Sequence, residues 1–440
     1  MLPADLVQRL ERAVAEAAPL MVAERRDFHH YAETGWTEFR TASLVARRLV
    51  DLGLGLQVGR EVVDGESRMG VPAAETLAAQ WERACAQGGD AEFLEVGRGG
   101  FTGVVGILRR GPGPTVGLRF DIDALDLEES LEESHRPAAE GFVSVNRGAT
   151  HACAHDGHAA LGLGVARVLA TLDDALQGTV KLVFQPAEEG VRGAKSMVVA
   201  GAVDDVDAML AVHLYSGWPT GQVALGRGNF MATDKFDAYF TGEAAHAGGR
   251  PHGGRNALLA AATAVLNLHA IPRHRDGPTR INVGRLVAGQ GRNVIPPSAH
   301  LMIETRGATS ALNDYVRESA ESILAAAAAM YGCKLEIRAM GAARSAESDP
   351  ALVERVNQVV AAIPGLSVRD PGPGGGSEDY TYMMRRVQER GGLAAALGMG
   401  ADLGGWGHHT ANFDFDEAAL PLAAQLLVTT VLTLMRDPLA

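Results

Sequence analysis

Apolar residues recur at helical spacing at Phe39, Leu44, Val45, Leu49 and Leu52, and the run stops at Gly53. That pattern predicts a helix closed by a glycine past its C-terminal end. Short apolar runs follow at 102–108, 115–120, 179–184 and 208–213, separated by helical stretches such as 159–172. Strands alternating with helices predict an α/β sandwich on a largely parallel sheet. Residues 55–100 are polar, glycine-containing and irregular, and are expected to be an insertion rather than core.

Past Met231 the rhythm changes. A strand is expected at 235–242, a helix at 256–269, two strands at 280–288 and 298–305, a long Ala-rich helix at 311–331 and a last strand at 334–338. This β-α-β-β-α-β order predicts a ferredoxin-like module set into the larger domain. After about residue 345 the α/β pattern resumes, so a chain whose length alone suggests about three domains divides into two: 1–230 with 345–440, and 231–344.

Composition narrows the function. With 47% hydrophobic and 21% charged residues the profile is globular. The net charge of -13, with no clustered Lys/Arg face, argues against a nucleic-acid partner. The N-terminal stretch reads as an amphipathic helix without a signal pattern, and the apolar tract 420–434 falls short of the ~18 residues of a membrane span. Three cysteines, Cys85, Cys153 and Cys333, give no disulfide framework, and a cytoplasmic location is expected.

The densest chemistry is HisAlaCysAlaHisAspGlyHis at 151–158, which puts one thiol, three imidazoles and a carboxylate just before a helix. Such crowding is a metal signature, whereas a lone Cys or His would be read as structural. GlnProAlaGluGluGly at 185–190 follows an apolar strand, and the C-terminal strand ends of open α/β sheets are where sites form. Adjacent glutamates on a loop point differently, so one can bind metal while the other moves a proton. His213 ends another strand, and GlyHisHisThr at 407–410 adds two histidines; taken singly, such residues are more often structural. No GlyXxxGlyXxxXxxGly follows a strand, which disfavours a dinucleotide enzyme.

These motifs in this order, with GlySerGluAspTyr at 376–380 and PheAspPheAspGlu at 413–417, resemble the aminoacylase and glutamate-carboxypeptidase superfamily across nearly the whole chain. Within it the chain is similar to the cysteine-containing amino-acid-conjugate amidohydrolases. The stretches at 25–40, 66–70, 119–127 and 229–233 look closest to the p-aminobenzoyl-glutamate hydrolases. The resemblance implies a di-metal aminopeptidase-like α/β/α catalytic domain with an inserted ferredoxin-like lid and dimerisation domain. It implies hydrolysis of p-aminobenzoyl-glutamate or a similar N-acyl amino acid.

Carried over residue by residue, the resemblance makes Cys153, His155, Glu189, His213 and His409 ligands of two divalent metals, zinc or manganese, with Cys153 bridging and Glu188 the general base. The spacing to Phe413 favours His409, with His408 the alternative. His246, in AlaAlaHisAlaGlyGlyArgPro, matches a lid histidine that polarises the scissile carbonyl, reaching the other protomer of a homodimer. Asn293 and Arg306 match residues that hold the substrate carboxylate, a group suited to a guanidinium fork. One departure stands in the metal motif, where Ala154 occupies a position the family usually fills with glycine. Alternatives are an aminoacylase or dipeptidase of other specificity, or a non-catalytic half of a heteromer with a paralogous B subunit.

Overall fold

The computed structural model describes residues 2–226, 230–372 and 376–439. Twelve strands run in chain order: β1 (Gly55–Val58), β2 (Val104–Arg110), β3 (Thr115–Asp121), β4 (Gly178–Gln185), β5 (Ala208–Tyr215), β6 (Gln222–Ala224), β7 (Ala232–Thr241), β8 (Thr279–Ala288), β9 (Ser298–Gly307), β10 (Lys334–Ala343), β11 (Ser367–Arg369) and β12 (Leu393–Gly400). They form an eight-stranded sheet, ordered β1-β2-β4-β3-β5-β12-β6-β11, and a four-stranded sheet, ordered β10-β7-β9-β8. The chain accordingly separates into two compact units, residues 2–226, 346–372 and 379–439 in one and 230–345 with 376–378 in the other.

In the larger unit the central strands β4, β3, β5 and β12 pair in parallel, β2 and β6 join them antiparallel, and beyond these β1 pairs antiparallel with β2 and β11 parallel with β6. The sheet is therefore mixed, parallel at its centre rather than throughout. Every residue of β4 is buried, as expected for a strand covered on both faces, and Lys181, the one charge in its run, donates to the carbonyl of Ala202 and to Asp205. Helix His155–Thr171 lies on this sheet with nearly its whole length buried. A Cβ at Gly162 would fall 2.6 Å from Phe184 of β4, and one at Gly164 would fall 2.2 Å from Met21 of helix Ala4–His30. Glycine at these two positions lets the helix lie close to both neighbours, which fixes the metal motif at its N-terminus.

The segment 55–100 has more order than its composition suggests. It holds β1, an edge strand of the main sheet, and helices Ala74–Ala86 and Ala91–Gly97, which bury Leu77, Ala84 and Leu94 against Phe39. Few large apolar residues are needed for so small a cluster, which is why no periodicity stands out. The terminal helix Ala419–Arg436 is longer than the apolar tract 420–434; by length and composition it could cross a membrane, but two thirds of it is buried in the fold.

The smaller unit is an antiparallel sheet carrying helices Ala257–Leu268 and Ser310–Met330 in βαββαβ order. Its core packs Phe236 and Phe240 of β7 against Ala260, Ala264, Val316 and Leu324.

Candidate active site

The motif residues of the larger unit converge at the C-terminal ends of β3, β4 and β5. Cys153 Sγ lies 3.5 Å from His213 Nε2. Donor atoms of Cys153, His155 and His213 all fall within 4.8 Å of one another, as do those of Cys153, Glu189 and His409, and those of His155, Glu188 and Glu189. His409 Nε2 is 3.6 Å from Glu189 Oε1, whereas the neighbouring His408 accepts from the backbone N–H of Ser216 through its Nε2 at 3.2 Å.

The histidines are oriented for coordination. His155 Nδ1 meets the carbonyl of Asp123 at 2.9 Å, and its Nε2 is buried without a hydrogen-bond partner among the described residues. His213 Nδ1 meets the carbonyl of Leu214 at 2.8 Å, which turns Nε2 toward Cys153. A ring nitrogen fixed by a carbonyl, with the other lone pair aimed inward, is how imidazole is prepared for a metal. Electrostatics agree. Burial raises the Cys153 thiol well above its ordinary range, and His155 is held well above its own despite burial because Asp121 and Asp123 face it. A pocket that keeps a proton on imidazole beside carboxylates lacks positive charge, and cations would supply it.

Asp123 does most of the positioning. Its Oδ1 and Oδ2 accept from the backbone N–H groups of Glu188 and Glu189, each at 2.9 Å, so one carboxylate sets both glutamates. Glu38 accepts from the N–H of Ala187 at 2.8 Å, and burial beside Asp123 pushes its carboxyl up to about 8. Asp379 accepts from the N–H groups of Gly193 and Ala194 and from Gln185 Nε2. The backbone is also strained here: Ala154 (φ 67°), Ala187 (φ 51°), Val191 (φ 60°) and His409 (φ 61°) occupy the left-handed region that L-residues avoid. Such conformations cost ~1–3 kcal/mol each and persist where surrounding contacts over-determine them.

Behind the metal motif lies a buried ionic network. Arg25 pairs with Asp156 (2.8 Å), Asp414 (2.6 Å) and Glu417 (3.2 Å), and His29 bridges Asp156 and Glu129. Burial opposes the charge on His29, but the two carboxylates raise it to about 9. These partners explain why the stretches 25–40 and 413–417 carry so many charges among apolar residues. Sequence alone gives no role to Asp123, Asp379, Arg25 or His29; a carboxylate directly after an apolar strand, as in ArgPheAspIleAsp, is the available signal for Asp123.

The remaining expected residues sit in the smaller unit. His246 is exposed, with Nδ1 accepting from the N–H groups of Gly248 (3.2 Å) and Gly249 (2.9 Å), which directs Nε2 outward. Asn293 lies beside it, its carbonyl accepting from Ala247 N–H at 2.9 Å. Arg306 stands apart from this loop pair, on β9, and donates to Glu304 at 3.0 Å. Asn229 of the 229–233 stretch falls outside the described residues.

A model of Peptidase family M20/M25/M40 matches residues 117–433, which span the metal motif, both glutamates and His409. The chain belongs to this family. It is 52% identical over 427 residues to indole-3-acetyl-aspartic acid hydrolase of Enterobacter agglomerans, covering 96% of this chain and 98% of that one. It is 51% identical over 430 residues to the A subunit of p-aminobenzoyl-glutamate hydrolase of Escherichia coli K12, covering 97% and 98%. A solved aminobenzoyl-glutamate utilization protein from Klebsiella pneumoniae superposes with a TM-score of 0.86 at 46% identity, covering 98% of this chain and all of that one. This M20 member is thus a hydrolase of amide bonds on a mixed α/β fold, with candidate metal-ligand groups in place.

Proposed function

We propose that this chain is a two-metal amidohydrolase that releases the free amino acid from p-aminobenzoyl-glutamate or a similar N-acyl amino acid. The observation that carries this is the convergence of Cys153, His155, Glu189, His213 and His409 donors in overlapping groups, with Glu188 beside them on a loop fixed by Asp123. Two relatives, 52% and 51% identical, are named for conjugates of aspartate and glutamate. When bound, two divalent cations, zinc or manganese, supply Lewis acidity toward the scissile carbonyl and the attacking water. Glu188 takes a proton from that water as its oxygen bonds to the carbonyl carbon, then delivers it to the amide nitrogen as the C–N bond breaks.

In this proposal residues 1–230 and 345–440 make the catalytic domain, and 231–344 act as lid and dimerisation domain. His246 donates to the growing oxyanion, while Asn293 and Arg306 hold the substrate carboxylate. Within the smaller unit, Leu286 and Val287 are exposed on the edge strand β8, an edge suited to an isologous homodimer. Pairing with a paralogous B subunit is a second assembly, favoured because the Escherichia coli relative is itself named as one subunit of its enzyme. The enzyme is expected to work in the cytoplasm.

The test is metal-depleted full-length chain, with zinc, manganese or cobalt added back singly, assayed on p-aminobenzoyl-glutamate and a small panel of N-acyl amino acids. Release of glutamate restored by metal supports the proposal. Turnover indifferent to chelation, or Cys153→Ser retaining full metal content by elemental analysis, overturns the metal assignment.

A further inference from the structure

A cavity of about 300 Å³ opens beside the catalytic loops of the larger unit, and its charge differs from that of the chain as a whole. Arg83, Arg147 and Arg192 line it against one carboxylate, Asp126, in a protein of net charge -13. We propose that this cavity is the specificity pocket for the side-chain carboxylate of a dicarboxylic amino acid, with Arg83, Arg147 and Arg192 as the cations that receive it. The inference rests on the amidohydrolase function proposed above and names its substrate class.

Three observations carry it. First, the pocket is tied to the reacting residues: Arg192 Nε donates to the carbonyl of Glu189 at 2.8 Å, and Arg147 lies just ahead of the 151–158 metal motif. Second, space is kept for the Arg192 head. A Cβ at Gly35 would fall 2.3 Å from Arg192 Nη2, so the guanidinium rests directly on this glycine and a side chain there would displace it. Third, Arg83 lines the cavity, and its Nε is buried without a hydrogen-bond partner among the described residues. Burial also lowers Arg83 from its ordinary value, with Glu33 alone opposing that shift. A half-buried guanidinium with an unused donor is an incomplete ion pair, and a carboxylate with four acceptor positions completes it. Arg147 is held by Glu128 at 2.8 Å with both side chains more than half exposed, a surface pair weak enough to yield to a ligand.

Helix Ala74–Ala86, which supplies Arg83 and Gln80, belongs to the 55–100 segment. The insertion thereby acquires a role: it adds a wall of positive charge to a catalytic core that does not need it for chemistry. A glutamine conjugate, equal in shape to a glutamate conjugate but neutral, would leave these guanidiniums unpaired, and the pocket should reject it.

The experiment compares p-aminobenzoyl-L-glutamate with p-aminobenzoyl-L-glutamine on metal-loaded full-length protein, alongside calorimetric titration of free glutarate. The parent enzyme should prefer the glutamate conjugate by at least about 30-fold in kcat/KM, from the worth of a charged hydrogen bond, mostly through KM. Arg83→Met and Arg147→Met should each shrink that ratio about tenfold and weaken glutarate binding, and Arg83→Lys should restore part of it. Equal use of both conjugates by the parent overturns the inference. So does an unchanged ratio in both Met variants when their metal content and circular dichroism match the parent. If neither conjugate is cleaved but glutarate binds and Arg83→Met abolishes that binding, the proposed reaction falls while the anion pocket stands.

Discussion

The two units place the side chains proposed to act in opposite physical settings. Around β3, β4 and β5 the loops and ligating side chains are held by specific contacts: Asp123 sets two glutamates and one histidine, and left-handed backbone at Ala154, Ala187 and His409 is held against its own preference. In the smaller unit His246 and Asn293 are exposed, tethered by local backbone contacts, and Arg306 pairs with a neighbour on its own strand. Proton transfer and metal binding tolerate little displacement, so rigidity belongs where bonds change. Groups that engage substrate only after it arrives can wait on an exposed loop.

The sharpest way to break this contrast is to disable each half separately. Glu188→Gln should keep its metal and lose ~10²- to 10⁴-fold in kcat, because the amide preserves shape but accepts no proton. His246→Ala should also be inactive. If His246 serves the neighbouring protomer, mixing the two variants with subunit exchange should restore part of the activity, since one of the two sites then has both residues intact. No recovery despite exchange, shown by mass spectrometry, places His246 in its own chain's site or outside catalysis.

Next in size is Asp123→Asn. One oxygen becomes an NH2 facing a backbone N–H, so the loop bearing Glu188 and Glu189 loses an anchor. Such outer-shell losses typically cost ~10–100-fold in metal affinity or activity. The expected signature is weaker metal binding and lower kcat with little change in KM; a shift in KM alone would mean that Asp123 acts on substrate rather than on the loop.

How much of this was legible follows from what each residue does. Cys153, His155, Glu188 and Glu189 announce themselves because their chemistry is concentrated in eight- and six-residue motifs. Asp123 and Arg25 act through partners 65 and 389 residues away, contacts that only the fold creates. Four of the eight main-sheet strands, β2 to β5, were readable because burial leaves apolar runs, whereas β1, β6 and β11 are too short to leave a pattern, β12 is built of small Ala and Gly residues, and the 55–100 helices bury one narrow face against Phe39. The edge pairings of β1, β2 and β6, which make the sheet mixed, leave no mark in single-strand composition.

The network behind the motif gives a smaller, pH-dependent effect. His29 is raised to about 9 by Asp156 and Glu129 against burial. Its folded value lies above its unfolded value of ~6.5, so its contribution is complete below pH ~6.5 and is lost as pH rises through about 9. Integrated over that window this is on the order of 3 kcal/mol. Urea midpoints of the metal-free protein should fall between pH 6.5 and 9.5, and His29→Gln should be less stable at pH 6.5 but flatter across the window. An identical slope in parent and variant would assign the dependence to another group.

The smallest expected effect concerns Ala154, which holds a left-handed conformation that glycine adopts freely. Three terms compete in Ala154→Gly. Relief of the left-handed conformation at φ 67° favours glycine by ~1–2 kcal/mol. The freer unfolded chain opposes it by ~0.4–1 kcal/mol. Ala154 is also fully buried within the main core cluster, so removing its methyl costs ~0.8 kcal/mol. These nearly cancel, and the variant should melt within about 2 °C of the parent, given ~2–4 °C per kcal/mol in a smaller domain. Because the helix N-terminus is already held by Asp156 and the glycine contacts of Gly162 and Gly164, metal affinity should change by less than about threefold, one kcal/mol being about fivefold. A tenfold tighter metal in Ala154→Gly would show instead that alanine's strain displaces Cys153, and that the backbone around the ligands is less rigid than the contrast between the two units requires.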